Sequence, residues 1–168
     1  MRGLNWLVDR LGPIGALDWS FRQQGMNHYG PMAMFRDVVI PDLSIPDKIE
    51  PHPDMVDFDM TDRMAISGEA LSQCKAIPGI NYSLIELAFS YDEKERLRAV
   101  QSVKNQYFDQ YPITYLNAVC LSWMRTYKMR PAILLALSGV SDTTERKWRG
   151  KILEELKDIF DKEIGRIK

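Results

Sequence analysis

Apolar residues recur every three or four positions over most of this chain, the spacing that gathers them on one side of an α-helix. Leu4, Leu7, Val8 and Leu11 begin the pattern, and Gly12-Pro13 breaks it. A further turn or two follows with Ile14, Leu17 and Phe21 on one side, so residues 1–24 are predicted as an N-terminal amphipathic helix. The period returns at residue 61. Thr61 or Asp62 is placed to cap a helix carrying Ile66, Ala70, Cys74 and Ile77, stopped by Pro78-Gly79. Ser83 with Glu86, then Asp92 with Glu95, have the spacing of capping boxes; Leu97, Val100 and Phe108 continue the apolar side toward Tyr111-Pro112. The most buried-looking helix carries Tyr115, Leu116, Val119, Cys120, Trp123, Met124 and Tyr127 and is expected to run to Arg130. Pro131 suits the first position of a short apolar helix from Ala132 to Leu137, with Gly139 as its stop. Asp142 with Glu145 opens the last helix, whose stripe is Trp148, Ile152, Leu153, Leu156, Ile159, Phe160, Ile164 and Ile167, with Asp158 and Lys162 paired four apart on its wet side.

Between these helical parts the pattern changes. Five of the nine prolines (Pro31, Pro41, Pro46, Pro51, Pro53) fall within one stretch, each restricting its own φ and that of the residue before it. From Pro31 to Asp62, eight carboxylates face two bases, a net charge of −6. Val38, Val39, Ile40, Leu43, Ile45, Ile49, Val56, Phe58 and Met60 are spread among them, and Val56, Phe58 and Met60 alternate with Asp57 and Asp59. That is the period of an extended chain with one apolar and one charged edge. Residues 25–60 are therefore expected to form an extended, acidic, proline-rich arm. Its apolar side chains need cover, either on the chain's own helices or on another subunit. The fold class that follows is all-α, an irregular helical bundle with the arm set between the N-terminal helix (1–24) and a helical body (61–168).

Composition narrows the function classes. With 168 residues, 45% hydrophobic and 27% charged, the chain suits one self-sufficient domain. Its 22 basic residues nearly balance 23 acidic ones, so the overall attraction of a dedicated nucleic-acid binder is missing. The longest apolar run, Ala132 to Val140, is nine positions, well short of the ~20 needed to cross a bilayer. Asp9 argues against a secretory leader. Arg2, Arg10 and Arg22 give the start some likeness to a mitochondrial presequence, which Asp9 and Asp18 weaken. An intracellular location is expected, mitochondrial being one option. The N-terminal helix is expected to dock on the fold itself, with contact to a membrane surface or a partner's groove as the alternative.

Candidate chemistry is sparse. His28 and His52 stand alone, without a second ligand at helical spacing. Cys74 and Cys120 fall on apolar helical faces, where a cysteine behaves as a small core residue. Phosphate loops, dinucleotide fingerprints and nucleophile elbows do not occur in the sequence, so no catalytic residue, metal or cofactor is assigned. Bases do cluster: Arg125, Lys128 and Arg130 beside Trp123 and Tyr127, and Arg146, Lys147, Arg149 and Lys151 around Trp148. Residues 120–151 carry +5. The expectation is a non-catalytic structural or accessory subunit that docks with other protein subunits of a larger assembly. The residues expected to carry it are Val38, Ile40, Leu43, Ile45, Ile49, Val56, Phe58 and Met60 of the arm with Arg125, Lys128 and Arg130. The alternative is a helical RNA- or DNA-associated protein whose basic-aromatic patches, 123–130 and 146–151, hold phosphates and stacked bases.

Overall fold

The computed structural model describes residues 2–29, 58–124 and 128–167, with residues 26–29 described by their backbone only. The fold is all-α. Seven helices and no strand occur among the described residues: α1 Leu4–Tyr29, α2 Met60–Lys75, α3 Tyr82–Phe89, α4 Glu93–Tyr107, α5 Ile113–Ser122, α6 Pro131–Ser138 and α7 Asp142–Ile164. Residues 30–57, most of the acidic arm, lie outside the described residues.

The Gly12-Pro13 break is present. Gly12 takes φ 75° and ψ 168°, a conformation open to glycine, and α1 turns there. Beyond it the helix continues to Tyr29, past the predicted end at residue 24. Leu4 and Leu7 before the kink and Ala16, Leu17 and Phe21 after it are all buried. The apolar side of α1 is thus committed to the chain's own core, and the option of a helix lying on a membrane or partner by that side gives way to docking within the fold.

Each start and stop has a local cause. Asp59, not Thr61 or Asp62, caps α2, accepting the Asp62 N–H at 2.8 Å. Asn81 replaces Ser83 as the cap of α3, accepting from the Leu84 N–H; the Ser83 hydroxyl instead donates to Ser102 Oγ. Asp92 caps α4 as expected, but Glu95 accepts from the Ser90 hydroxyl at 2.7 Å rather than closing the box. Pro131 opens α6, and Gly139, at φ 70°, closes it in the left-handed conformation. Ser141, one residue before the expected Asp142, caps α7.

The helices assemble around a chain of aromatic contacts. α1 packs on α2 and α3, α3 on α4 and α7, and α5 lies between α4 and α6. Phe89 is fully buried, stacked with Phe21 at 6.3 Å and tilted against Phe160 at 5.8 Å; Trp123 meets Phe160 edge-on at 5.5 Å. A second group joins Phe108, Tyr111, Tyr115 and Trp148, with Trp148 5.3 Å from Tyr111 and 5.9 Å from Tyr115. Where α1 meets the α3–α4 corner, the buried Asp18 carboxylate receives the Arg22 guanidinium at 2.8 Å and the Tyr91 hydroxyl at 3.2 Å.

One expected helix is shorter than its pattern. α5 stops at Ser122; Trp123 and Met124, which the predicted stripe included, are not helical, nor are residues 128–130, while 125–127 lie outside the described residues. Trp123 is extended (φ −67°, ψ 136°), which carries its indole onto Phe160, and Met124 takes φ 62°. Carbonyls left over at a helix end need donors. Arg96 supplies them to Cys120 and Leu121 at 3.2 and 3.3 Å, and Lys128 Nζ reaches Ser122 O at 3.4 Å. Tertiary packing and side-chain donors together end the helix where periodicity alone would have extended it.

The phase of α4 also differs. Leu97, predicted on the apolar side, is exposed; Arg96, Ala99, Val100 and Val103 form the buried side. Similarly, Leu153 of α7 is exposed beside the buried Ile152 and Leu156. Gly150, in the exposed interior of α7, has no atom within 4 Å of the position a Cβ would take. Gly150→Ala is therefore expected to stabilise the chain by about 0.5–1 kcal/mol, through helix propensity alone. The check is the urea midpoint, which rises while the slope of the transition is unchanged; a lowered midpoint contradicts the account.

Candidate interaction surface

Of the arm residues singled out in the sequence, Phe58 and Met60 lie among the described residues; Val38, Ile40, Leu43, Ile45, Ile49 and Val56 do not. Phe58 is half-buried against its own N-terminal helix, 5.7 Å from the Trp6 ring, with the Arg2 guanidinium 4.9 Å above it. Arg10 covers Trp6 at 4.0 Å. This cluster of two rings and two cations fixes the chain where it enters α2. Met60, the first residue of α2, is 51% exposed. Arg125 lies outside the described residues, whereas Lys128 and Arg130 are both exposed just ahead of α6.

Trp123 is buried on Phe160, and the half-buried Trp148 packs on Tyr111 and Tyr115. Around Trp148, Arg146 pairs with Asp142 at 3.1 Å and Arg149 with the buried Glu145 at 3.5 Å. Among the described residues of the two patches, Lys128, Arg130, Arg146, Lys147 and Lys151 are exposed while Trp123 is buried and Trp148 half-buried; Arg125 and Tyr127 lie outside the described residues.

Between the bases at 128–130 and α7 sits a helix that periodicity had not marked as a surface. α6 reads Pro-Ala-Ile-Leu-Leu-Ala-Leu-Ser, apolar at every position but the last. It rests only on its neighbours α5 and α7 among the principal helix contacts. Leu134 and Ser138 are buried; Ala132, Ile133, Ala136 and Leu137 are exposed, Ile133 at 42% and Leu137 at 37%. Small apolar helices normally bury this composition. The signal in the sequence was the pairing of seven consecutive apolar residues, Pro131 to Leu137, with flanking Lys128 and Arg130.

A cleft of about 550 Å³ opens between the start of α3, the end of α4 and the last turns of α7. Its polar groups already answer one another. Glu163 accepts the Asn81 N–H at 3.0 Å and lies 3.6 Å from Arg166, while the Asn81 amide donates to Gln106 Oε1 at 2.8 Å. This network ties the C-terminal helix to the α2–α3 turn.

Nucleophile chemistry has little footing in the core. Burial pushes the Cys74 thiol up to about 11, with the negative charge of Glu163 adding to it. Burial likewise raises Cys120 to about 12, partly opposed by Arg96. Thiols held protonated in this way are poor nucleophiles. Tyr115 rises to about 12 through burial and then Glu145, and Tyr82 is also raised, first by burial and then by Glu86. The native state thus holds these protons longer than the unfolded chain, whose thiols and phenols titrate near 9.0 and 10.0. Stability is fully present below about pH 9 and falls as pH rises through the folded values. The thermal midpoint is expected to drop progressively between about pH 9 and pH 12; equal midpoints at pH 8 and pH 11 contradict the burial of these groups.

Among the described residues, no three His, Cys, Asp or Glu side chains gather in a group suited to a metal ion. No described helix is long and apolar enough to cross a membrane. In comparisons with known proteins, no family model, no curated protein and no solved structure matches the chain.

Proposed function

We propose that the chain is a non-catalytic accessory subunit that docks onto other protein subunits of a larger assembly, with α6 as its contact face. The observation that supports this reading is the exposed apolar side of α6. An isolated chain gains nothing from leaving Ile133 and Leu137 in water, whereas a subunit covers them on assembly. The acidic, apolar composition of residues 31–62 suits the same role, as a second contact with protein. Protein is favoured over nucleic acid because Trp123 is packed into the core and the half-buried Trp148 is engaged by Tyr111 and Tyr115, which leaves less ring surface for base stacking. The intracellular and mitochondrial locations belong to this proposal as settings compatible with it.

The test compares the wild-type chain with Ile133→Asp/Leu137→Asp in native extracts fractionated by size. Both positions are exposed, so the double variant is expected to keep its helical circular dichroism. Wild type is expected to migrate well above its 19.4 kDa and the variant to fall back to it. A wild-type chain that migrates as a monomer overturns the subunit reading.

A further inference from the structure

The same face has a charge character that specifies its partner, an inference that rests on the subunit reading above. From Asp109 to Asp142 the sequence contains no intervening carboxylate. The exposed bases Lys128 and Arg130 stand immediately ahead of α6, and neither has a carboxylate within ion-pairing distance among the described residues. The surface therefore combines two large exposed apolar side chains with positive charge at one end that no described carboxylate pairs; Lys128 Nζ is 3.4 Å from Ser122 O. We propose that α6 receives an amphipathic helix of a partner protein, with apolar side chains laid on Ile133 and Leu137 and carboxylates placed toward Lys128 and Arg130. The apolar contacts give the affinity, and the charges set the direction in which the partner helix lies. A nucleic acid would use the bases but leave the apolar side chains wet. A bilayer would use both, though without the directional requirement.

The experiment measures binding of the full chain to two fluorescein-labelled peptides by polarisation. One carries leucines at i, i+3, i+4 and i+7 with glutamates elsewhere; the other has lysine in place of every glutamate. Saturable binding is expected for the Glu peptide alone, weakening as NaCl is raised. Ile133→Asp/Leu137→Asp is expected to abolish it. Lys128→Glu/Arg130→Glu is expected to lower affinity by about tenfold, the size of two rim charge contacts, and to transfer preference to the Lys peptide. Equal binding of both peptides, no binding, or binding that survives both double variants overturns the proposal. So does stronger, α6-dependent recruitment to phosphatidylcholine/phosphatidylserine vesicles or to a single-stranded RNA oligomer. The two readings fail differently. If Ile133→Asp/Leu137→Asp releases the chain from its native assembly but Lys128→Glu/Arg130→Glu and salt have no effect there, the docking face stands and its acidic partner falls.

Discussion

Arg96→Met is expected to lower the unfolding free energy by about 3 kcal/mol. Arg96 is 6% exposed, an unusual depth for a charged residue. It sits in the first turn of α4 and donates to Leu87 O at 3.1 Å, Cys120 O at 3.2 Å and Leu121 O at 3.3 Å. These carbonyls lie in the closing turns of α3 and α5, the negative ends of two helix dipoles. One planar fork therefore satisfies the open ends of two helices at once. Methionine fills much of the space but donates nothing, leaving the three acceptors buried without that donor. Lysine restores charge yet lacks the fork, so Arg96→Lys is expected to recover less than half of the loss. Urea unfolding of the three proteins measures this. A loss below about 1 kcal/mol for methionine would show that the bonds contribute little beyond packing.

The second large effect lies at Phe89→Ala, expected to cost about 3–5 kcal/mol. Phe89 is completely buried and touches rings contributed by α1 and α7, Phe21 and Phe160. Truncation opens a cavity where three helices meet, and the rigid rings around it cannot close the gap. Phe89→Leu is expected to cost less than half as much, because it keeps most of the volume. Differential scanning calorimetry of the two variants would check both the order and the size. Similar losses for alanine and leucine would mean that edge and stacking geometry, not volume, dominates the site.

The fold class was legible because helical periodicity and stop signals agreed along the described chain. Pro131 and Gly139 bounded α6, Asp92 capped α4 and Gly12-Pro13 broke α1, each through backbone preferences that act locally. What escaped detection depended on contacts distant in sequence. The buried side of α4 runs 96, 99, 100, 103, a regular helical spacing that begins with arginine; Val100 lies on it as expected, whereas Leu97 does not and Arg96 had carried no signal of burial. Ser83 looked like a cap, yet Asn81 took that position while Ser83 faced Ser102, a partner 19 residues away. The interaction face was half legible. Lys128 and Arg130 stood out as bases, but an apolar run such as Pro131 to Leu137 reads as core, and its exposure depends on which helices fail to cover it.

Met124 leads to one last consequence. The apolar spacing after Ser122 continues through Met124 and Tyr127, so the local sequence asks for more helix at the very point where the folded chain refuses it. Such a place is locally frustrated. A peptide of residues 113–130, freed from Phe160 and from the Arg96 fork, should wind past Ser122; the intact protein holds that tendency in check, and the left-handed φ of 62° at Met124 is where the two demands collide.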